Sequence, residues 1–237
     1  MKRLNALAVL AFTLFMSMMV SAQAQAFDAG VLSYNVTDAV ANTVEVTGRA
    51  SGNTDTEIVI PSSVSDGTTT YAVTSIGYEA FRENGLTSVT IPDSVTTIRI
   101  DAFYINPLTS VTIPDSVTTI GDFAFASNDL TSVTIPDSVT TIDFAAFAFN
   151  DLTSVTFLGD FGTFSLDMFS VNGSLETICT VEGASGWPQT FTPTTGPSGS
   201  VTTTTCTPAT PVPALPLFGL LTLGGLLGLF GLRKLKK

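Results

Sequence analysis

Three aspartates recur at intervals of 22 residues, each directly after a proline, at Asp93, Asp115 and Asp137. If the chain stacks with this period, like charges about 4.8 Å apart repel each other, and a bound cation would relieve that repulsion. Calcium prefers carboxylate oxygens, so these residues are weak candidates for a line of calcium sites. Aspartate after proline also caps turns, and that structural role stays open. We predict no cofactor, with calcium as the one alternative that stays open.

Hydroxyl groups form a second regular set. In the recurring segment SVT, serine and threonine alternate with valine, so the hydroxyls point to one face of a strand and the apolar side chains to the other. Such an array can bind carbohydrate, protein or ice, although serine and threonine also simply suit a solvated strand. The candidate binding residues are Ser88, Thr90, Ser110, Thr112, Ser132, Thr134, Ser154 and Thr156.

Catalytic chemistry has little support in this sequence. The chain contains no histidine, which excludes a Ser-His or Cys-His nucleophile and an imidazole metal site. Paired carboxylates could serve a carbohydrate-active enzyme. However, the candidate aspartates are copied from unit to unit, whereas a catalytic site should interrupt the repeat. We therefore predict no catalytic residue and a protein that is not an enzyme, with a carbohydrate-active enzyme as the remote alternative.

The elements that position these residues follow from the repeat itself. A period of 22 residues is typical of a solenoid in which each unit forms one coil. Within a coil, Val89, Thr90 and Ile91 alternate as a strand, Pro92 ends it, and an Ala-Phe pair makes a second turn. We predict a mainly β solenoid with parallel strands, capped at both ends because open ends would expose the core.

Two further columns, meaning equivalent positions in successive coils, have predicted structural roles. A phenylalanine column should form an aromatic spine in the core, and an asparagine column should form an amide ladder that bonds the backbone of adjacent coils. The spine comprises Phe81, Phe103, Phe125, Phe147 and Phe169, and the ladder comprises Asn84, Asn106, Asn128, Asn150 and Asn172.

The N-terminus reads as a secretory signal. Lys2 and Arg3 precede an apolar run that ends in small residues, which is the pattern of a signal peptide and its cleavage site. Cleavage after Ala26 is the first expectation, and cleavage after Ala24 is the alternative. A membrane anchor is disfavoured because the apolar run is short and the small residues follow at once.

The C-terminus reads as a membrane segment behind a linker. Residues 192–211 are rich in Thr, Pro and Ser and have no charge, as in an extended, solvated linker. An apolar transmembrane segment at about 215–232 then precedes a basic cluster that includes Arg233. Positive charge after the segment places the C-terminus in the cytoplasm and the repeats outside.

The charge distribution limits the partners. Between the signal and the tail, three arginines stand against twenty acidic residues, so the exported part carries a net charge of −17. That field repels nucleic acid and favours cations or basic partners. The two cysteines, Cys179 and Cys206, lie on the exported side, where disulfides persist. A bridge between them is favoured over two free thiols.

The repeat resembles the BspA-like leucine-rich repeat family, whose core IPxSVxxIGxxAF is followed by LTSVTIP. The resemblance covers about residues 58–157 and implies adhesion-like recognition by an exported, surface-directed protein. A structural component of extracellular matrix or biofilm is the alternative. The expected domains are a signal peptide (1–26), an N-terminal cap (27–57), the repeats (58–178), a C-terminal cap (179–191), the linker (192–211) and a tail (212–237).

The tail resembles the PEP-CTERM class of sorting signals, and within it the IPTL-CTERM subgroup. Its motif would be Val212, Pro213, Ala214, Leu215 and Pro216, although that subgroup usually has Ile and Thr in place of Val212 and Ala214. The resemblance implies cutting by an exosortase-type membrane protease. It also implies a transient membrane anchor and passage to the cell surface. Together with the N-terminal signal, this predicts export through the Sec pathway, and the expected ligand is an unidentified protein or carbohydrate at the cell surface. A permanent single-pass anchor is the alternative.

Overall fold

The structure is a computed structural model that describes residues 25–160, 162–165, 167–175, 177–180, 184–186, 190–191 and 201–205. It is built from strands and turns. The strands are β1 (Ala26–Ala29), β2 (Leu32–Asp38), β3 (Thr43–Arg49), β4 (Glu57–Val59), β5 (Ser63–Ser65), β6 (Thr70–Ile76), β7 (Ser88–Thr90), β8 (Thr97–Ile98), β9 (Thr119–Ile120), β10 (Ser132–Ile135), β11 (Thr141–Ile142), β12 (Ser154–Phe157), β13 (Thr163–Phe164), β14 (Thr177–Thr180), β15 (Thr190–Phe191) and β16 (Val201–Thr205).

The N-terminal cap is an antiparallel meander. β1 pairs with β2 and β2 with β3, both antiparallel. Along β2 and β3, Leu32, Tyr34, Val44 and Val46 are buried and alternate with less buried side chains. β3 then pairs in parallel with β6, so the cap supplies the first strand of the solenoid and leaves no core residue of β6 uncovered.

The coils stack as parallel rungs, as predicted. The short strands β6, β8, β9, β11 and β13 form one continuous parallel ladder with a shift of one coil per rung, for example Ile98 opposite Ile120. On a second side of the coil, β10, β12 and β14 pair in parallel, with Thr134 opposite Thr156. The inward residues of both ladders fill a single hydrophobic core.

One rung of the second ladder is interrupted. β7 pairs with β4, whereas residues 110–113, one coil later, form no strand. This differs from the strand predicted for every SVTI segment. The coil concerned begins with Pro107, where the next coil has Asp129, whose N–H donates to Leu108 O at 3.0 Å. Proline has no N–H, so the equivalent bond to Leu86 O cannot form at the start of the interrupted rung.

The Ala-Phe turn of each coil is irregular and tightly wound. It places two residues in the left-handed region, for example Asp101 and Ile105 with φ of 57° and 55°, and Phe123 and Ser127 with φ of 54° and 55°. Residues other than glycine, asparagine and aspartate adopt this conformation at a cost of roughly 1–2 kcal/mol. The turn carbonyls and N–H groups recover part of it by bonding to the next coil, as in Phe103 N–H to Ala124 O at 2.8 Å.

The aromatic spine is confirmed. The rings of Phe81, Phe103, Phe125 and Phe147 are fully buried and stack with centroid separations of 5.4, 5.2 and 5.3 Å. Phe169 continues the spine at 5.7 Å in a tilted geometry. One ring per coil therefore spans each coil–coil interface, and burial of about 150–250 Å² per ring makes this column a main source of stability.

The asparagine ladder is confirmed for every coil except the first. Asn128 Nδ2 donates to the carbonyl of Phe125 in its own coil and to that of Phe103 in the preceding coil, both at 3.0 Å, while its Oδ1 accepts from Leu108 N–H at 3.3 Å. Asn106, Asn150 and Asn172 repeat the pattern. In the first coil, Asn84 Nδ2 instead donates to Arg82 O.

The C-terminal end adds two strands to the second ladder. β14 pairs in parallel with β16, and β15 pairs with β16 in antiparallel fashion. Residues 201–205 were expected to belong to an extended, solvated linker, but they form β16, which lies between β14 and β15 in the sheet. Cys179, in β14, is disulfide-bonded. Cys206 lies outside the described residues, so the assignment of the partner stays a prediction.

Several expected features fall outside the described residues. They are the signal peptide up to Ala24, the motif from Val212 to Pro216 and the transmembrane segment at about 215–232. Within the described ranges, no helix is long and apolar enough to cross a membrane.

Candidate binding surfaces

The candidate hydroxyl residues lie together on one exposed face, which we call the hydroxyl face. Seven of the eight are exposed and Thr156 is half-buried. The rungs are in register, with Ser132 opposite Ser154 and Thr134 opposite Thr156. Ser110 and Thr112 are equally exposed but lie in the interrupted rung. The face therefore consists of two paired parts on either side of residues 110–113.

A second hydroxyl row, which the sequence analysis did not single out, is used inside the solenoid. Ser94, Ser116 and Ser138 donate to carbonyls of the preceding coil at 2.6–2.8 Å. Thr118 and Thr140 also donate one coil back, at 3.2 and 3.3 Å. The protons of these hydroxyls are used within the protein, so the hydroxyls can offer a ligand only acceptor lone pairs.

The hydroxyl face differs from this second row in its hydrogen bonding. Within the part of the chain that the structure describes, none of its eight hydroxyls makes a hydrogen bond to another protein group. Hydroxyls that are exposed and not engaged are open to water or to a ligand. Sequence alone could not separate the two sets, because both are Ser and Thr columns of the same period.

The aspartates at the Pro-Asp turn lie on the surface of the coils. Asp93, Asp115 and Asp137 are exposed. Their turns are closed by backbone bonds, for example Val95 N–H to Pro92 O at 3.1 Å, and not by the carboxylates. Across the described ranges, no group of three His, Cys, Asp or Glu side chains could hold a metal ion. The calcium line remains a prediction without a built site.

A different set of acidic residues lies on the Ala-Phe side. Burial raises the pKa of Asp101 and of Asp143, and the nearby charge of Asp122 raises both further, whereas Arg82 opposes the increase at Asp101. A raised folded-state pKa stabilises the fold below the unfolded-state pKa, and this contribution is lost as pH rises through the folded-state value. At neutral pH, these two carboxylates therefore lower the stability.

Arg82 partly neutralises this acidic surface. Its guanidinium pairs with Glu79 and Asp101 through Nη1 at 3.1 and 3.0 Å and with Glu83 through Nε at 3.3 Å. It also lies over the ring of Tyr104, 4.8 Å from the centroid. The half-buried guanidinium of Arg82 is thus held by three carboxylates and one aromatic ring, a combination that favours guanidinium binding.

Comparison with known proteins assigns the repeat to a family. The model of the family described as BspA type leucine rich repeat region matches six copies over residues 56–183. No curated protein matches the chain. The solved structures that are similar to it include leucine-rich repeat proteins from two species of Bacteroides and a leucine-rich cell surface protein from Faecalibacterium prausnitzii.

These likenesses are partial. The Bacteroides ovatus protein is 28% identical with a TM-score of 0.48, covering 65% of this chain and 46% of its own. The Bacteroides capillosus protein is 29% identical with a TM-score of 0.47, covering 56% of this chain and 99% of its own. The Faecalibacterium protein is 24% identical with a TM-score of 0.43, covering 70% of this chain and 56% of its own. This chain thus spans about half the length of the first relative.

Proposed function

Since the chain belongs to the BspA-type leucine-rich repeat family, we propose that it is an exported, surface-directed protein that acts by non-catalytic binding through its hydroxyl face. Members of a repeat family that present extended surfaces suit binding better than catalysis. The chain offers a regular face of this kind, and its ligand is a protein or a carbohydrate at a cell surface.

One observation supports this choice of face. The columns that begin with Ser94 and Thr96 donate hydrogen bonds between coils, whereas the eight hydroxyls of the hydroxyl face do not. Paired strands hold these side chains in fixed register, as in Ser132 opposite Ser154. Preorganised donors and acceptors lose little conformational entropy when a ligand binds. The face can therefore bind an extended polymer with a matching repeat.

Binding to this face is testable with one substitution at its centre. We expect labelled protein to bind saturably to at least one member of a panel of immobilised polysaccharides and extracellular-matrix proteins. Thr134→Lys places a long charged side chain between two rungs and should weaken that binding about tenfold or more.

The matched control is Thr54→Lys, the same change at an exposed threonine in the N-terminal region. It should leave binding unchanged. Absence of saturable binding across the panel would contradict the proposal, and so would an unchanged affinity for Thr134→Lys.

The route to the surface belongs to the same proposal. A signal peptide delivers the chain to the export machinery, and the tail from Val212 to Lys237 holds it in the membrane until an exosortase-type protease cuts near Pro213. Intact mass of the surface-associated protein tests this: a species that ends between 212 and 217 is expected, whereas one retaining Lys237 in the inner membrane would mean a permanent anchor.

A structural role in extracellular matrix is the second candidate. A stack with uniform outer columns suits lateral assembly as well as ligand binding. Deletion of the protein would then weaken biofilm cohesion, although the panel would yield no ligand.

A further inference from the structure

An open groove lies where the Ala-Phe turn leads into the second ladder, beside the interrupted rung. Its volume is 430 Å³, and it is lined by Glu83, Gly85, Ile105, Asn106, Pro107, Ser127 and Asp129. The groove therefore spans three successive coils and combines an apolar wall with carboxylates. Neither the hydroxyl face nor the sequence analysis accounts for it.

The same chain shows what binds at the equivalent position one coil earlier. There, the guanidinium of Arg49 donates through Nη1 to Asp55 O at 2.8 Å and through Nη2 to Asn84 O at 2.9 Å. The two carbonyls belong to neighbouring coils. At the N-terminal end of the solenoid, an arginine therefore bridges the junction between two coils.

Register relates that junction to the groove. Because Glu57 lies opposite Ser88, Asp55 is the equivalent of Leu86, and Asn84 is the equivalent of Asn106 one repeat later. Asn106 lines the groove, as does Gly85 next to Leu86. The groove is thus the next copy of the junction that Arg49 occupies, and the chain places no arginine of its own in the lining of this copy.

Pro107 makes the junction at the groove different from the equivalent junction in the following coil. In the following coil, Asp129 N–H donates to Leu108 O, whereas Pro107 cannot donate to Leu86 O. The ring of Pro107 and the side chain of Ile105 supply the apolar wall. Ile105 is 41% exposed with φ of 55°. The fold does not require an apolar side chain there, since Glu83 and Ser127 occupy the same column.

The charge of the groove favours a cation. Glu83 is exposed and uses one carboxylate oxygen for Arg82, while the carboxylate of Asp129 makes no ion pair with any described residue. Two carboxylates, backbone carbonyls and an apolar wall match the guanidinium and the aliphatic stem of arginine. A second copy of this chain is a poor occupant, because its own face is acidic.

We propose that the groove around Pro107 binds an arginine side chain of a basic partner polypeptide, in the manner in which Arg49 is bound one coil earlier. This site is separate from the hydroxyl face, so either can fail alone. Arginine is preferred to lysine because its planar fork can reach two carbonyls in neighbouring coils at once.

An Arg-Gly repeat peptide tests the proposal, with Lys-Gly and citrulline-Gly peptides of the same length as comparisons. The full-length chain in detergent is titrated by fluorescence anisotropy at about 0.15 M salt, where the general field of the protein is screened beyond about 8 Å. The arginine peptide should bind about tenfold more tightly than the lysine peptide.

Variants separate the groove from the overall negative charge. Pro107→Asp introduces the residue of the following coil, adds an N–H for Leu86 O and removes the apolar ring. It should lower the affinity about tenfold although the chain becomes more negative. Glu83→Gln should also weaken binding, whereas Glu57→Gln removes an exposed charge outside the groove and should not. Thermal unfolding checks that each variant is folded.

The site is supported if the arginine peptide binds more tightly than the lysine peptide and if affinity falls in Pro107→Asp and Glu83→Gln but not in Glu57→Gln. Equal binding of the arginine and lysine peptides, equal losses in Glu83→Gln and Glu57→Gln, or no binding of the arginine peptide would each overturn it. Thr134→Lys should leave arginine-peptide binding intact, which distinguishes failure of this site from failure of the hydroxyl face.

Discussion

Replacing Asn128 with aspartate will lower the free energy of unfolding by about 3–5 kcal/mol at neutral pH. The buried amide donates to two phenylalanine carbonyls, one in its own coil and one in the preceding coil, at 3.0 Å each. Aspartate keeps the shape but has no N–H to donate. The two carbonyls keep one bond each, from Asn106 and Asn150, but lose the bond from position 128. The substitution also places a buried negative charge beside these carbonyl oxygens, which it cannot pair with.

Urea-induced unfolding followed by circular dichroism measures this loss, and Asn84→Asp is the control. Asn84 occupies the same column but is half-buried, and its amide donates to Arg82 O in its own coil. We expect it to cost less than half as much as Asn128→Asp. Similar losses at the two positions would mean that the bonds between coils are not the source of the effect.

Replacing Phe125 with alanine should destabilise the protein by about 3–5 kcal/mol. Phe125 is fully buried and stacks between Phe103 and Phe147 at 5.2 and 5.3 Å. Neighbouring coils are held at strand spacing by their ladders, so the coils cannot close over the missing ring. The substitution therefore removes the buried area of the ring and leaves a cavity in the stack.

Thr134→Ala provides the comparison for Phe125→Ala. Thr134 is exposed on β10, and its replacement by alanine should change the free energy of unfolding by no more than about 0.5 kcal/mol. Thermal and urea unfolding of both variants give the two values under the same conditions. A loss at Thr134 as large as the loss at Phe125 would show that the inside and outside of the strand have been exchanged.

The solenoid could be predicted because its columns repeat almost without change. A side chain that recurs every 22 residues must meet its own copies, so the phenylalanine spine and the asparagine ladder follow from spacing and polarity alone. For the first coil, the predicted hydrogen bonds of the ladder are not formed. Asn84 lies at the end of the column, where the preceding chain belongs to the N-terminal cap, and Arg49 binds its carbonyl.

Backbone detail was less accessible from the sequence. The left-handed residues of the Ala-Phe turn include Ile105 and Phe123, which no local preference would place there, since the bonds between coils and not the residue types impose the conformation. The interrupted rung at 110–113 was likewise not predicted, because these residues have the same SVTI sequence as the coils that do form a strand.

The two candidate sites also differ in how far the sequence predicted them. The outward position of the hydroxyl face was predicted, but its distinction from the row that contains Ser94 and Ser116 required the hydrogen bonds of each hydroxyl. The groove was not predicted, because its lining comes from three coils and from residues that vary between repeats. A search for the positions at which a regular repeat changes, such as Pro107, would have found it.

The asparagine ladder also limits how a protein of this kind can grow or shrink during evolution. Each amide joins a carbonyl 25 residues back and an N–H 20 residues back, distances that are both set by one coil. Gain or loss of a whole coil leaves every such pair intact, whereas insertion of one residue in the turn would misplace all of them at that junction. Duplication of complete repeats is therefore the route by which the chain can change its length and keep its interior hydrogen bonds.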